Sequence, residues 1–239
     1  ANGFTNGMCL GVDGRSLVVV ESSPPLISAL QSLSAEVAEV VRALREPAFR
    51  AYADALATPE SLLGDSQFDG LQEMLLRLWS RGYDWTRAVV VKATSSAGRA
   101  AGPLLQARPE SRAIYLNVRA EPYLATLLGG ANSAADLRGH GPGRMRRLQR
   151  RVQAPPAPLH SLSLGELAAL GWLTESLALA AASSAGGERV LALDFEEFLA
   201  DVQGAMTRVI AHFGLPHDQD FLASVSRNPV LRQYSKAPE

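Results

Sequence analysis

Only one cysteine, Cys9, occurs in 239 residues. That excludes an intrachain disulfide framework and fits a reducing, cytoplasmic setting. Lysine is nearly missing too: of the 23 basic residues, Lys92 and Lys236 alone are lysine and the rest are arginine. Neither sign of charge is in surplus, and a formal net charge of −1 at pH 7 argues against a dedicated nucleic-acid binder, which carries a basic excess. The longest apolar stretch, Leu167–Ala182, is interrupted by Gly171, Thr174, Glu175 and Ser176, so no transmembrane helix is expected. No basic-then-apolar signal segment opens the sequence. It contains no Walker A sequence, dinucleotide fingerprint or nucleophile elbow. No spacing among its four histidines, Cys9 and the carboxylates suggests a metal site.

What is present is globular in character, with 47% hydrophobic and 20% charged residues. The length fits a single domain over residues 1–239, with a loop and helical insertion at 129–182. Four compact runs read as strands buried on both faces: Leu17–Glu21, Ala88–Lys92, Arg112–Val118 and Arg189–Leu193. Helical spacing of apolar residues marks Pro25–Leu44, Gln67–Ser80 and Phe198–Phe213, the last stopping at Gly214-Leu215-Pro216. Ser163 followed by Glu166 is a capping signature ahead of an apolar helix over Ser163–Ala182. Gly139-His140-Gly141-Pro142-Gly143 reads as a mobile loop, Met145–Val152 as a short basic helix, and Ala154–Pro158 as a stiff connector. Strands alternating with helices predict a three-layer α/β fold with a mostly parallel central sheet.

In such sheets ligands bind beyond the carboxyl ends of the strands, where helix N-termini offer free amides. The turns to examine are therefore Glu21-Ser22-Ser23-Pro24-Pro25, Lys92-Ala93-Thr94-Ser95-Ser96, Arg119-Ala120-Glu121-Pro122 and Asp194-Phe195-Glu196-Glu197. Lysine or arginine at a strand end, with hydroxyls following, suits phosphate or sulfate oxygens. Each has a plainer alternative. Lys92 could face solvent beside an ordinary helix cap, and Arg119 could pair with a carboxylate such as Glu121. The cluster Arg144, Arg146, Arg147, Arg150 and Arg151 could guide an anionic cosubstrate or form a solvated helix face. Trp79, Trp85 and Trp172 read as core or pocket walls. His140 could belong to a lid.

The stretch Val89–Thr126, VVVKATSSAG…LLQARPESRAIYLNVRAEPYLAT, resembles the core of PAPS-dependent sulfotransferases. Val190–Pro216, VLALDFEEFLADVQGAMTRVIAHFGLP, is similar to a late segment of the same family, and Tyr234-Ser235-Lys236 to the ending of its bacterial members. The resemblance implies a P-loop-NTPase-like fold that binds 3′-phosphoadenosine 5′-phosphosulfate (PAPS) and moves its sulfuryl group to a hydroxyl or amine, leaving adenosine 3′,5′-bisphosphate, without a metal. Arg119 would hold the 3′-phosphate with help from Thr126. Lys92, Thr94, Ser95 and Ser96 would lie near the transferred group, while Arg232 and Lys236 would close over the nucleotide. The expected partner is a small-molecule or glycan acceptor, with a homodimer as an open alternative.

Two places depart from the family pattern. Its 5′-phosphosulfate loop after the first strand carries glycine and a basic residue, whereas Glu21-Ser22-Ser23-Pro24-Pro25-Leu26 has neither. Pro24 and Pro25 remove two amide donors, leaving Ser22 and Ser23 as the hydroxyls for the cosubstrate and the helix cap. Many relatives also have a histidine shortly after the lysine, where Thr94, Ser95 and Ser96 stand here. Either Glu21 serves as the base, its pKa raised by burial at a strand end, or the donor site is degenerate and the protein is a non-catalytic binding or assembly relative.

Overall fold

The computed structural model describes residues 16–18, 41–46, 48–57, 64–81, 88–93, 98–130, 133–152, 157–215 and 219–227. In chain order the elements are β1 (Ser16–Val18), β2 (Val41–Glu46), α1 (Ala48–Ala57), α2 (Asp65–Trp79), β3 (Ala88–Ala93), α3 (Ala101–Ala107) and β4 (Ala113–Asn117). There follow α4 (Ala120–Gly129), α5 (Ser133–Gln149), α6 (Leu164–Gly186), β5 (Val190–Asp194), α7 (Phe195–Ala200), α8 (Val202–Phe213) and α9 (Gln219–Ser226). Every strand pair among them is parallel. The pairs form two ladders, one ordered β1-β3-β2 and the other β4-β5.

The buried strands are those whose sequences run apolar without alternation. Ala88, Val89, Val90 and Val91 of β3 are buried, as are Ala113, Ile114, Tyr115 and Leu116 of β4; both runs have apolar cover on each face. β5 is different from its expectation: only Leu193 is buried and Ala192 is exposed. The core around β3 and β4 gathers Tyr52, Leu76, Trp79, Leu104, Phe198 and Ile210. A second cluster, with Tyr123, Leu127, Leu137, Met145 and Leu167, joins α4, α5 and α6, and Phe195 packs against both.

Several helical expectations change. Val41–Leu44, the end of the helix expected over Pro25–Leu44, belongs to β2 and pairs with β3 from Val41↔Ala88 to Glu46↔Ala93; residues 25–40 lie outside the described residues. A short apolar run fits either period, and the ladder along β3 decides it. The Gly139–Gly143 segment is helix within α5, not a loop, even with Pro142 inside it. A β-carbon at Gly141 would stand 3.2 Å from Cδ1 of Leu159 and 3.4 Å from Cδ2 of Leu167. Glycine there permits close packing, which outweighs weak helix propensity. Phe198–Phe213 is two helices: Asp201 leaves the helical region at φ −138°, ψ 76°, and its carboxylate accepts the Gly204 amide at 2.9 Å to start α8. That helix ends as expected, with Gly214 left-handed at φ 63° and the Leu215 amide bonded to the Ile210 carbonyl at 3.0 Å.

The capping signature before α6 is realised on both sides. The Glu166 amide donates to Ser163 Oγ at 3.2 Å, and the Ser163 amide donates to Glu166 Oε2 at 2.8 Å. The polar residues inside α6 do not interrupt it. Over Leu164–Arg189 it is long and apolar enough to cross a membrane by length and composition alone, but 44% of its 18-residue apolar window is buried within the protein. It packs against α3, α4, α5 and β5.

Candidate anion site at the ends of β4 and β5

The parallel register of β4 and β5 sets Asn117 opposite Asp194, so the residues that follow the two strands emerge together. Arg119 is the N-cap of α4, extended at φ −60°, ψ 154°, and its carbonyl accepts the Tyr123 amide at 3.1 Å. The preceding carbonyl, Val118, accepts the indole N–H of Trp172 at 2.8 Å, which pins α6 beside this turn. The Arg119 side chain is 59% exposed. Its Nε lies 3.2 Å from Oδ2 of Asp194 and its Nη2 3.5 Å from Oδ1, with Oε2 of Glu196 3.9 Å from Nε.

Asp194 also caps α7, accepting the Glu197 amide at 3.0 Å. Burial opposes its ionisation, yet the Glu197 amide and the Arg119 guanidinium hold its carboxyl below the ordinary value. Of the two alternatives for Arg119, the ion pair exists, though with Asp194 and Glu196 where Glu121 was expected. Sequence spacing pointed to a neighbour on the same turn; strand pairing supplies partners from the far side of α6.

Thr126 lies seven residues after Arg119. Two turns of helix bring it back to the same side of α4, roughly 10 Å along the axis, and it is partly exposed. Lys92 is the next-to-last residue of β3, with Arg45 of β2, just past the end of the helix expected over Pro25–Leu44, as its register partner. Glu21, Ser22, Ser23, Thr94, Ser95, Ser96, Arg232 and Lys236 lie outside the described residues, as does Trp85. The Tyr115 hydroxyl of β4 donates to the Gly98 carbonyl.

The remaining candidates have structural surroundings. His140 faces Asp136 one turn earlier on α5, Nε2 to Oδ1 at 3.3 Å, so it is part of a helix and not of a lid. His212 Nε2 contacts the Ala113 carbonyl at 3.0 Å, and burial lowers its pKa. Trp79 is core. Among the described residues no three histidine, cysteine or carboxylate side chains are grouped to hold a metal.

No protein-family model matches the chain, and neither does any curated protein. Among solved structures that match is the crystal structure of the mouse sulfotransferase SULT7A1 complexed with PAP. It is 13% identical, with a TM-score of 0.39, and the match covers 91% of this chain and 74% of that one.

Proposed function

We propose that the chain is a sulfotransferase that moves the sulfuryl group of PAPS to a hydroxyl or amine. The observation that carries this reading is Arg119, an exposed planar cation beyond the carboxyl end of a buried parallel strand, at the N-terminus of α4. A 3′-phosphate there would meet both the guanidinium fork and free helix amides. The order of motifs supports it: lysine at the end of β3, then Arg119 after β4, then the β5–α7 turn beside it.

In this reaction the acceptor oxygen attacks sulfur in line with the bridging oxygen of the phosphosulfate. One S–O bond forms as the other breaks, and the acceptor proton passes to the Glu21 carboxylate. Lys92, Thr94, Ser95 and Ser96 would neutralise the group in transit, Ser22 and Ser23 would donate to the departing phosphate, and Arg232 and Lys236 would close over the nucleotide. Catalysis of this kind rests on positioning and cationic stabilisation. A cytoplasmic location and a small-molecule or glycan acceptor belong to the same proposal.

One observation favours the second reading, a non-catalytic relative with a degenerate donor site: Asp194 and Glu196 already neutralise Arg119, and a phosphate must displace them. Calorimetric titration with adenosine 3′,5′-bisphosphate decides between the two. The sulfotransferase reading expects binding that weakens at least tenfold in Arg119→Ala. No binding up to millimolar nucleotide overturns it in favour of the relative without a donor site.

A further inference from the structure

α5 and α6 lie side by side and run in the same direction. Gly141 meets Leu167, Arg144 meets Gly171, and Arg147 meets Glu175, so the contacts advance along both helices one turn at a time. The groove between them gains arginine as it advances. Arg144 is only 4% exposed, and its Nε and Nη1 make no hydrogen bond. One turn on, Arg147 Nη2 is 3.2 Å from Oε1 of Glu175, which is 2% exposed. Just past the end of α5, Arg150 and Arg151 are exposed, and neither side chain has a hydrogen bond or ion pair among the described residues.

There the groove opens into a cleft of about 390 Å³, closed on its other side by Leu56 of α1 and by Arg99 and Pro103 at the start of α3. Arg99 is fixed in place: its Nε donates to the Ala53 carbonyl at 2.7 Å and its Nη2 pairs with Asp54. Arg150 and Arg151 line the cleft with no counter-ion among the described residues, and guanidinium does not lose its proton in proteins. Exposed arginines with no counter-ion at the mouth of a cleft raise the local concentration of anions, so the cleft favours an anionic ligand. The volume falls in the small-molecule range of roughly 300–1,000 Å³. Leu56, Pro103, Leu177 and Ala178 give the cleft an apolar wall, which a bare inorganic ion would leave uncovered.

We propose that this cleft binds a small organic acid with at least two anionic groups on an apolar body. Arg150 and Arg151 take the anionic groups, and Leu56, Pro103 and Leu177 cover the body. The cleft shares no residue with the Arg119–Asp194 pair, so the proposal stands whether or not the chain transfers sulfuryl groups.

The test is calorimetric titration with three probes: 2,6-naphthalenedisulfonate, inorganic pyrophosphate and uncharged 2-naphthol. Wild type is expected to bind the disulfonate at least tenfold more tightly than either other probe, and more weakly as salt is raised. The Arg150→Gln/Arg151→Gln variant is expected to lose at least tenfold in affinity. Both substitutions lie beyond the helix, and an unchanged circular dichroism spectrum verifies the fold. Arg146→Gln, an exposed α5 change outside the cleft, and Arg119→Ala should bind as wild type does. Failure of the disulfonate to bind, equal affinity for pyrophosphate, an unaffected double variant, or loss of binding in Arg119→Ala each overturns the proposal.

Discussion

Arg119 and Asp194 meet beyond the ends of two adjacent parallel strands, Nε to Oδ2 at 3.2 Å, although they stand 75 positions apart in sequence. The carboxylate serves two groups, since it also accepts the Glu197 amide that begins α7. Asparagine can still cap that helix but removes the charge opposite Arg119; alanine removes both. Asp194→Ala is therefore expected to lose about 1 kcal/mol of stability through the cap, and Asp194→Asn much less. On the proposed donor site, Asp194→Asn also binds adenosine 3′,5′-bisphosphate more tightly than wild type, because a competing anion is gone. Urea unfolding and calorimetry check the two parts separately; equal destabilisation by both substitutions would contradict the capping role.

His212 gives the fold a pH dependence near neutrality. Burial lowers its pKa below 6.5, and the Ala113 carbonyl only partly offsets this. The unfolded chain then takes up a proton more readily than the folded one, so stability falls as pH drops below about 6.5 and levels off beneath the folded pKa. In His212→Gln, unfolding free energy measured from pH 7.5 to 5 should vary less steeply than in wild type. A steeper or identical slope would sink this assignment.

Tyr115 and Gly98 form a second coupled pair. A β-carbon at Gly98 would lie 2.9 Å from the Tyr115 hydroxyl oxygen, the same group that donates to the Gly98 carbonyl. Tyr115→Phe should cost about 1 kcal/mol for the lost buried hydrogen bond, and Gly98→Ala should be destabilising through the clash. The double variant should be somewhat more stable than the sum of the two losses. Removing the hydroxyl relieves part of the crowding, while the ring carbon Cε1 stays 3.0 Å from the new β-carbon. Strict additivity in urea unfolding would falsify the contact.

Pro142 distinguishes helix from loop in the middle of α5. Inside a helix it removes one amide donor and crowds the preceding turn, a penalty of up to about 3 kcal/mol relative to alanine. The side chain is exposed, so Pro142→Ala loses little packing. It should raise the unfolding free energy by about 1–3 kcal/mol. A drop in stability would instead fit a loop whose entropy proline had restricted.

The strands that form the buried centre were legible because β3 and β4 consist of consecutive apolar, largely β-branched or aromatic residues. The start of α6 was legible because Ser163 and Glu166 form a purely local cap. The helix through Gly139–Gly143 was not, since its stability comes from Leu159 and Leu167 packing onto Gly141, contacts that no local pattern records. β2 was lost for a related reason: Val41 continues the helical spacing of Pro25–Leu44, and the partner strand β3 decides the matter. At the candidate site, Arg119 stood out as a strand-end cation. Asp194 and Glu196 did not stand out as its partners, because only the β4–β5 register brings them there.

That register also bears on how the chain folds. β5 can add to β4 only after α4, α5 and α6 have been made and folded back, so the pairing closes one of the long loops of the molecule. Until then the row of backbone amides and carbonyls on β4 that β5 will occupy has no partner, next to the exposed apolar surface of an undocked α6. Long-range parallel pairing of this kind slows folding and leaves aggregation-prone intermediates. Refolding yield should therefore fall as protein concentration rises, with the β4 edge as the sticky surface.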